Sequence, residues 1–193
     1  MVVGRCFWPM SMGGKDFEES VLSQAGRYER EGILKMARNG VEVVLIGGAW
    51  RPVPSFVDFR GVYGCGKMFL AECKSTKQKS LPLSESSVKA HQIAELVDWG
   101  EWGVPGMLLV HHQGRELKSR RVFGETRVYL VDGRLDWVIE YQEKVVSGRV
   151  DFGSLDRSMG DVVPWVRFPR CRKSGPDLRE ALRLVNARRE KLG

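Results

Sequence analysis

Glu72 and Lys74 stand two residues apart in the stretch LAECKSTKQKS, residues 70–80. Side chains of an extended strand alternate, so this acid and this lysine share one face while Ala71 and Cys73 share the other. A second acid, Asp58, lies in FVDFRGVY, and Gly64-Cys65-Gly66 is a tight-turn signal that folds FVDFRGVY and KMFLAECK into a hairpin. Two carboxylates converging there make a hard-oxygen site suited to Mg²⁺, which takes one or two carboxylates and completes its shell with water and phosphate oxygens. The carbonyl of Cys73 is a candidate further ligand. Such a cation stabilises charge on a phosphodiester during an in-line displacement. Lys74 is placed to orient the attacking water or to neutralise the developing charge. An acid followed by Glu-x-Lys also arises from ordinary usage of charged residues, as an exposed ion pair on an edge strand. The neighbours have to distinguish the two.

Two neighbours favour a site. Phe17, Val21, Ala25 and Tyr28 recur at helical spacing, and a helix packed on the sheet through that stripe would aim the adjacent Glu18 toward Asp58. The plain alternative is a first-turn acid favoured by the helix dipole. Gln92 is one helical turn from both Val88 and Leu96, so it interrupts an apolar face with an amide that needs a buried partner. A water or a substrate phosphate in the site would meet that need. His91, with Glu95 four residues on, reads as a surface pair, and His111 and His112 read as structural. After Lys74, the run KSTKQK offers hydroxyl donors at Ser75 and Thr76 and ammonium groups at Lys77 and Lys79 for phosphate contacts, against the plain reading of a charged solvated loop.

The elements that carry these residues alternate between helix and strand. A first helix is expected from Lys15 until Asn39-Gly40 stops it. VEVVLIGG reads as a buried first strand, and AWRPVPS holds too much proline to continue it. After the hairpin, SESSVKAHQIAELVDWG reads as a helix capped by serine. GMLLVHH and TRVYLVD are two further strands joined by a basic segment, and LDWVIEYQE is a short helix. SGPDLREALRLVNARREKL closes the chain, with Pro176 in a first helical turn and Leu178, Leu182 and Val185 on one stripe. The fold class is α/β, a mixed central β-sheet flanked by helices. Residues 1–14 read as a flexible arm, 15–143 as the core domain, and 144–193 as a basic extension whose terminal helix packs on the core.

The chain has 193 residues, enough for one sizeable core, and carries 31 Lys and Arg against 24 Asp and Glu, a net charge of +7. From Arg167 onward nine basic residues face three acidic ones, and Arg115, Lys118, Arg120, Arg121 and Arg127 form a second cluster. An anionic partner fits this excess, and so does an ordinary solvated surface. Cys6, Cys65, Cys73 and Cys171 lack the spacing of a structural zinc site and read as reduced thiols. No run reaches the roughly 18 apolar residues of a membrane span, so a cytoplasmic protein without membrane contact is expected.

Taken together, GKDFEE, AWRPVPSFVDFRGVYG and AECKSTKQKSLPL running on to AHQI resemble the PD-(D/E)xK nuclease superfamily, and more closely the RecU-type Holliday junction resolvases. The strong part covers about residues 14 to 96. The resemblance implies a restriction-endonuclease-like core and a homodimer that nicks opposed strands of a four-way DNA junction symmetrically. Mg²⁺ would serve as cofactor, with Mn²⁺ able to replace it, and no organic cofactor is implied. Asp58 and Glu72 would be the metal ligands, Lys74 the catalytic lysine, Glu18 the helix-borne acid, Gln92 the active-site glutamine and Arg51 a substrate-facing arginine. RecU-type proteins carry a longer segment before the position of Arg51, projecting as a stalk into the junction. Here IGGA is nearly all that is expected to remain of it, as in the shorter archaeal-type resolvases. The rival readings are a restriction-like or repair nuclease on duplex DNA and a non-catalytic junction-binding protein.

Overall fold

Helix α1 (Gly14–Arg30) forms because Phe17, Val21, Ala25 and Tyr28 repeat along one face, and all four are buried. The structure is a computed structural model. It describes residues 12–40, 43–46, 49–52, 57–64, 66–84, 86–117, 120–122, 124–148, 153–167 and 174–193, with only the backbone at 43–46, 50–52, 115–117, 120–122, 165–167 and 174. Of the expected N-terminal arm, residues 1–11 lie outside the described residues. The helix expected to reach Asn39 stops at Arg30, because Gly32 takes a positive φ of 69° and turns the chain. Leu34 and Met36 then bury alternately with exposed Lys35 and Ala37, a period of two that makes strand β1 (Leu34–Arg38).

The expected first strand is thereby displaced. VEVVLIGG contributes β2 (Val43–Ile46), which pairs antiparallel only with β3 (Ala49–Pro52), and this two-stranded unit stands apart from the main sheet. The segment between the first strand and Arg51 therefore spans residues 39–50 and includes β2, longer than the IGGA expected before Arg51.

The main sheet is built from β4 (Phe59–Tyr63), β5 (Lys67–Thr76), β7 (Gly106–His112), β10 (Glu125–Val131) and β12 (Asp161–Val163) together with β1, in the order β1-β4-β5-β7-β10-β12. Its sixth strand comes from beyond residue 143. β5 and β7 are parallel and every other neighbouring pair is antiparallel, so the sheet is mixed. A parallel pair needs a crossover, and α2 (Ala90–Glu101) supplies it. Short strands β6 (Leu81–Pro82) and β11 (Ser154–Leu155) pair beside the sheet, as do β8 (Arg115–Leu117) with β9 (Arg120–Val122) and β13 (Trp165–Arg167) with β14 (Ser174–Pro176). Helices α3 (Asp136–Val146) and α4 (Leu178–Glu190) complete the chain.

Two cores lie on the two faces. Phe17, Val21, Phe69, Ala71 and Cys73 pack with Leu178, Leu182 and Val185, so α1 and α4 cover one face. Leu70, Val88, Ile93, Leu96, Val138 and Tyr141 fill the other, under α2 and α3. Gly106 lets α2 come close: a Cβ there would stand 2.9 Å from Leu96 Cβ and 3.0 Å from its carbonyl. The serines expected to cap α2 form a turn instead, with Val88 N–H donating to the Ser84 carbonyl at 2.8 Å. Among the described residues no helix is long and apolar enough to cross a membrane.

Candidate active site

β5 alternates as expected, sending Phe69, Ala71 and Cys73 into one core and leaving Glu72 and Lys74 on the opposite face. Glu72 is 1% exposed. Such a carboxylate needs all its lone pairs engaged. Its Oε2 accepts from the Asp58 N–H at 3.0 Å; its Oε1 accepts from Gln92 Nε2 at 2.6 Å and lies 2.6 Å from Lys74 Nζ. Asp58 answers in kind, its Oδ2 accepting from the Cys73 N–H at 2.8 Å. Each acid thus grips backbone next to the other, which fixes their separation.

Asp58 sits in a bend just before β4 and not on the strand itself. Asn39 holds that bend: its backbone N–H donates to the Asp58 carbonyl at 2.9 Å and its Nδ2 to the Val57 carbonyl at 2.9 Å. Asn39 was legible only as a helix stop. Reading residues 34–38 as helix also hid Arg38, which ion-pairs with Glu18 at 3.4 Å and with Glu19 at 3.2 Å and lies 5.8 Å from the Phe59 ring centroid.

Gln92 does find buried partners, but they belong to the protein. While its Nε2 holds Glu72, its Oε1 accepts from Lys74 Nζ at 3.2 Å and from the Lys89 N–H at 3.1 Å. One amide therefore ties the start of α2 to both Glu72 and Lys74.

Burial dominates the electrostatics of the site. Burial pushes the Glu72 carboxyl up to about 7; Lys74 opposes this and Asp58 adds to it. Glu18, partly buried on α1, is raised as well, by burial first and then by Asp58, against Arg38 and Lys74. The Cys73 thiol is raised by burial and by the same three acids, Asp58, Glu72 and Glu18. It lies in the apolar core, so only the backbone of Cys73 faces these acids.

Among the described residues no group of three or more His, Cys, Asp or Glu side chains is arranged to hold a metal. The donor chemistry still fits Mg²⁺, which takes one or two carboxylates and keeps its remaining shell in water. Asp58 and Glu72 are carboxylates locked together through each other's neighbouring backbone, the one or two oxygen donors that such an ion takes from protein.

The expected phosphate contacts divide. Lys77 and Lys79 are exposed. Ser75 is engaged elsewhere: its hydroxyl donates to the Met12 carbonyl at 2.8 Å and accepts from Gln113 Nε2 at 3.0 Å, pinning the chain as it enters α1. Thr76 is buried, and its Oγ1 accepts from the Gln78 N–H at 3.1 Å, closing a turn. The sequence shows a hydroxyl but not its partner, so these contacts within the chain were not legible in it. Arg51 lies on β3, where only the backbone is described.

Fold and site together define a mixed α/β protein with an acid–lysine–glutamine cluster centred on β5, midway along the parallel β5–β7 pair. No protein-family model matches the chain, and no curated protein matches it. Among solved structures it is similar to Archaeoglobus fulgidus Hjc, a Holliday junction resolvase from an archaeal hyperthermophile, at 20% identity over 64% of this chain and 80% of that one, with a TM-score of 0.38.

Proposed function

We propose that the chain is a metal-dependent endodeoxyribonuclease that resolves four-way DNA junctions by paired symmetric nicks and acts as a homodimer. The observation that carries the reading is the Asp58–Glu72–Lys74–Gln92 cluster, in which two carboxylates, an ammonium and an amide are held together by direct hydrogen bonds around β5. Asp58 and Glu72 are the residues that would hold Mg²⁺, which supplies Lewis acidity toward a phosphodiester. The rest of the chemistry belongs to the side chains. Lys74, fixed by Glu72 and Gln92, keeps a positive charge where negative charge builds on the phosphoryl oxygens, and its N–H groups orient a nucleophilic water. Gln92 prevents Lys74 from swinging out to solvent. Glu18 adds a third carboxylate within electrostatic reach of Asp58.

The exposed Lys77 and Lys79 supply phosphate contacts, and the β2–β3 hairpin with Arg51 occupies the chain position of the stalk in RecU-type resolvases. The test is cleavage of an end-labelled four-way junction beside its component duplex, with Mg²⁺ and with EDTA. Paired nicks in the junction alone, abolished by EDTA, support the reading. Equal cutting of duplex replaces it with a restriction-like nuclease, and binding without cutting replaces it with a junction-holding protein.

A further inference from the structure

The loop that follows the site strand, residues 77–80, presents Lys77, Gln78 and Lys79 with exposed side chains, yet its backbone is bolted down. The Gln78 carbonyl lies 3.4 Å from His112 Nδ1, and His112 is braced in turn by Tyr129, whose hydroxyl is 3.1 Å from Nε2. The Lys79 carbonyl accepts from Arg157 Nε at 2.8 Å. Arg157 is itself held: its guanidinium pairs with Glu125 at 3.3 Å, and its carbonyl accepts from Arg127 Nη1 at 2.5 Å. Arg127 also donates to Glu125 at 2.9 Å and to the Gly160 carbonyl at 2.9 Å, which fixes the turn around Arg157. Just beyond the loop, β6 pairs with β11 and Leu83 N–H donates to the Gly153 carbonyl at 2.9 Å.

An exposed loop of four polar residues needs no such anchoring to be stable. A fixed backbone under free ammonium groups is a preorganised contact surface, because the ordering entropy is removed before the ligand arrives. We infer that Arg157 is a positioning residue for DNA: by holding the Lys79 carbonyl it sets Lys77 and Lys79 against the phosphates flanking the attacked one. This rests on the nuclease reading above. It assigns Arg157 an indirect role, carried through the two lysines and not through its own contact with phosphate.

The experiment is a double-mutant cycle on junction affinity, measured by fluorescence anisotropy in EDTA over a salt series. The Lys77→Ala/Lys79→Ala variant should bind more weakly and lose roughly two units of salt slope, about 0.9 per phosphate contact. Arg157→Ala should weaken binding on the order of fivefold, the loss expected when one or two side chains must be ordered on binding. In the lysine-free background it should have no further effect, and Arg157→Lys, which keeps a donor, should restore affinity. Amide exchange at residues 77–80 should quicken in Arg157→Ala while β5 and β7 amides keep their protection. Should Arg157→Ala fail to fold, Glu125→Gln loosens the same brace and should give a smaller change of the same kind. Additive losses contradict the inference, since Arg157 would then touch phosphate itself; unchanged affinity in Arg157→Ala contradicts it too. A wild-type chain that binds no DNA overturns the nuclease reading first and this inference with it.

Discussion

Glu72 is the residue on which the account turns. Its carboxyl holds its proton more tightly in the folded chain than in the unfolded one, so its contribution to stability falls as pH rises from about 4.5 to about 7. In Glu72→Gln that loss disappears. Denaturant melts should show a variant at least as stable as wild type at pH 8, the usual behaviour when a buried site acid is removed; a variant markedly less stable at pH 8 contradicts the burial argument. Lys74→Ala leaves Glu72 buried without its cation, so both stability and rate should fall, the rate by on the order of 10²- to 10³-fold in single-turnover cleavage. The pairing of Glu72 and Lys74 on one face followed from strand periodicity alone. Their grip on Asp58 did not, because it runs through two backbone N–H groups that no residue type announces. Ser75 and Thr76 show the complementary case: their chemistry was visible and their partners within the chain were not.

Helices with one clean apolar stripe were readable along the chain, and the boundary between α1 and β1 was not. Leu34 and Met36 extend the apolar content of α1 without its period, and Gly32 marks the break only through its positive φ. α2 was located well, yet its depth over the sheet depends on Gly106. Gly106→Ala should cost about 1 to 3 kcal/mol in denaturant unfolding, because the new methyl meets Leu96 at both Cβ and carbonyl; an unchanged midpoint would show that α2 can shift freely. At the end of β7, His111 and His112 are fully buried, and burial lowers both to about 4, helped by their mutual repulsion at His111 and by Arg157 at His112. Neutral imidazoles favoured by folding give stability that is present above pH 6.5 and is lost as pH falls toward 4. Glu72 has the opposite slope over most of that window. In Glu72→Gln the two histidines outweigh the remaining raised acids such as Glu18, and stability should rise from pH 4 to 6.5; a flat profile contradicts it.

At the scale of the whole molecule, part of the basic tail serves the fold. α4 faces the core with Leu178, Ala181, Leu182 and Val185, and Asp177 caps it while accepting the Tyr28 hydroxyl at 2.7 Å. Its arginines reach back as well, Arg189 to the carbonyls of Gly100 and Gly103 and to Asp132, and Arg188 to Asp161. Composition left the nine basic residues from Arg167 onward open between a partner and a solvated surface, whereas Arg188 and Arg189 close the fold. Truncation before Gly175 should therefore unfold the protein in a thermal melt; a folded, fully active truncation contradicts this. The mixed sheet and its flanking helices were foreseeable from alternating periods, but the β2–β3 hairpin and the sixth strand β12 were not, since short strands carry too few residues to show a pattern. The most informative measurement is junction nicking and junction binding side by side for wild type and Glu72→Gln in Mg²⁺. The account predicts that nicking disappears while affinity and salt slope stay within about twofold, because exposed lysines, not the buried acid, hold the DNA. Nicking that survives the substitution would contradict the site assigned here.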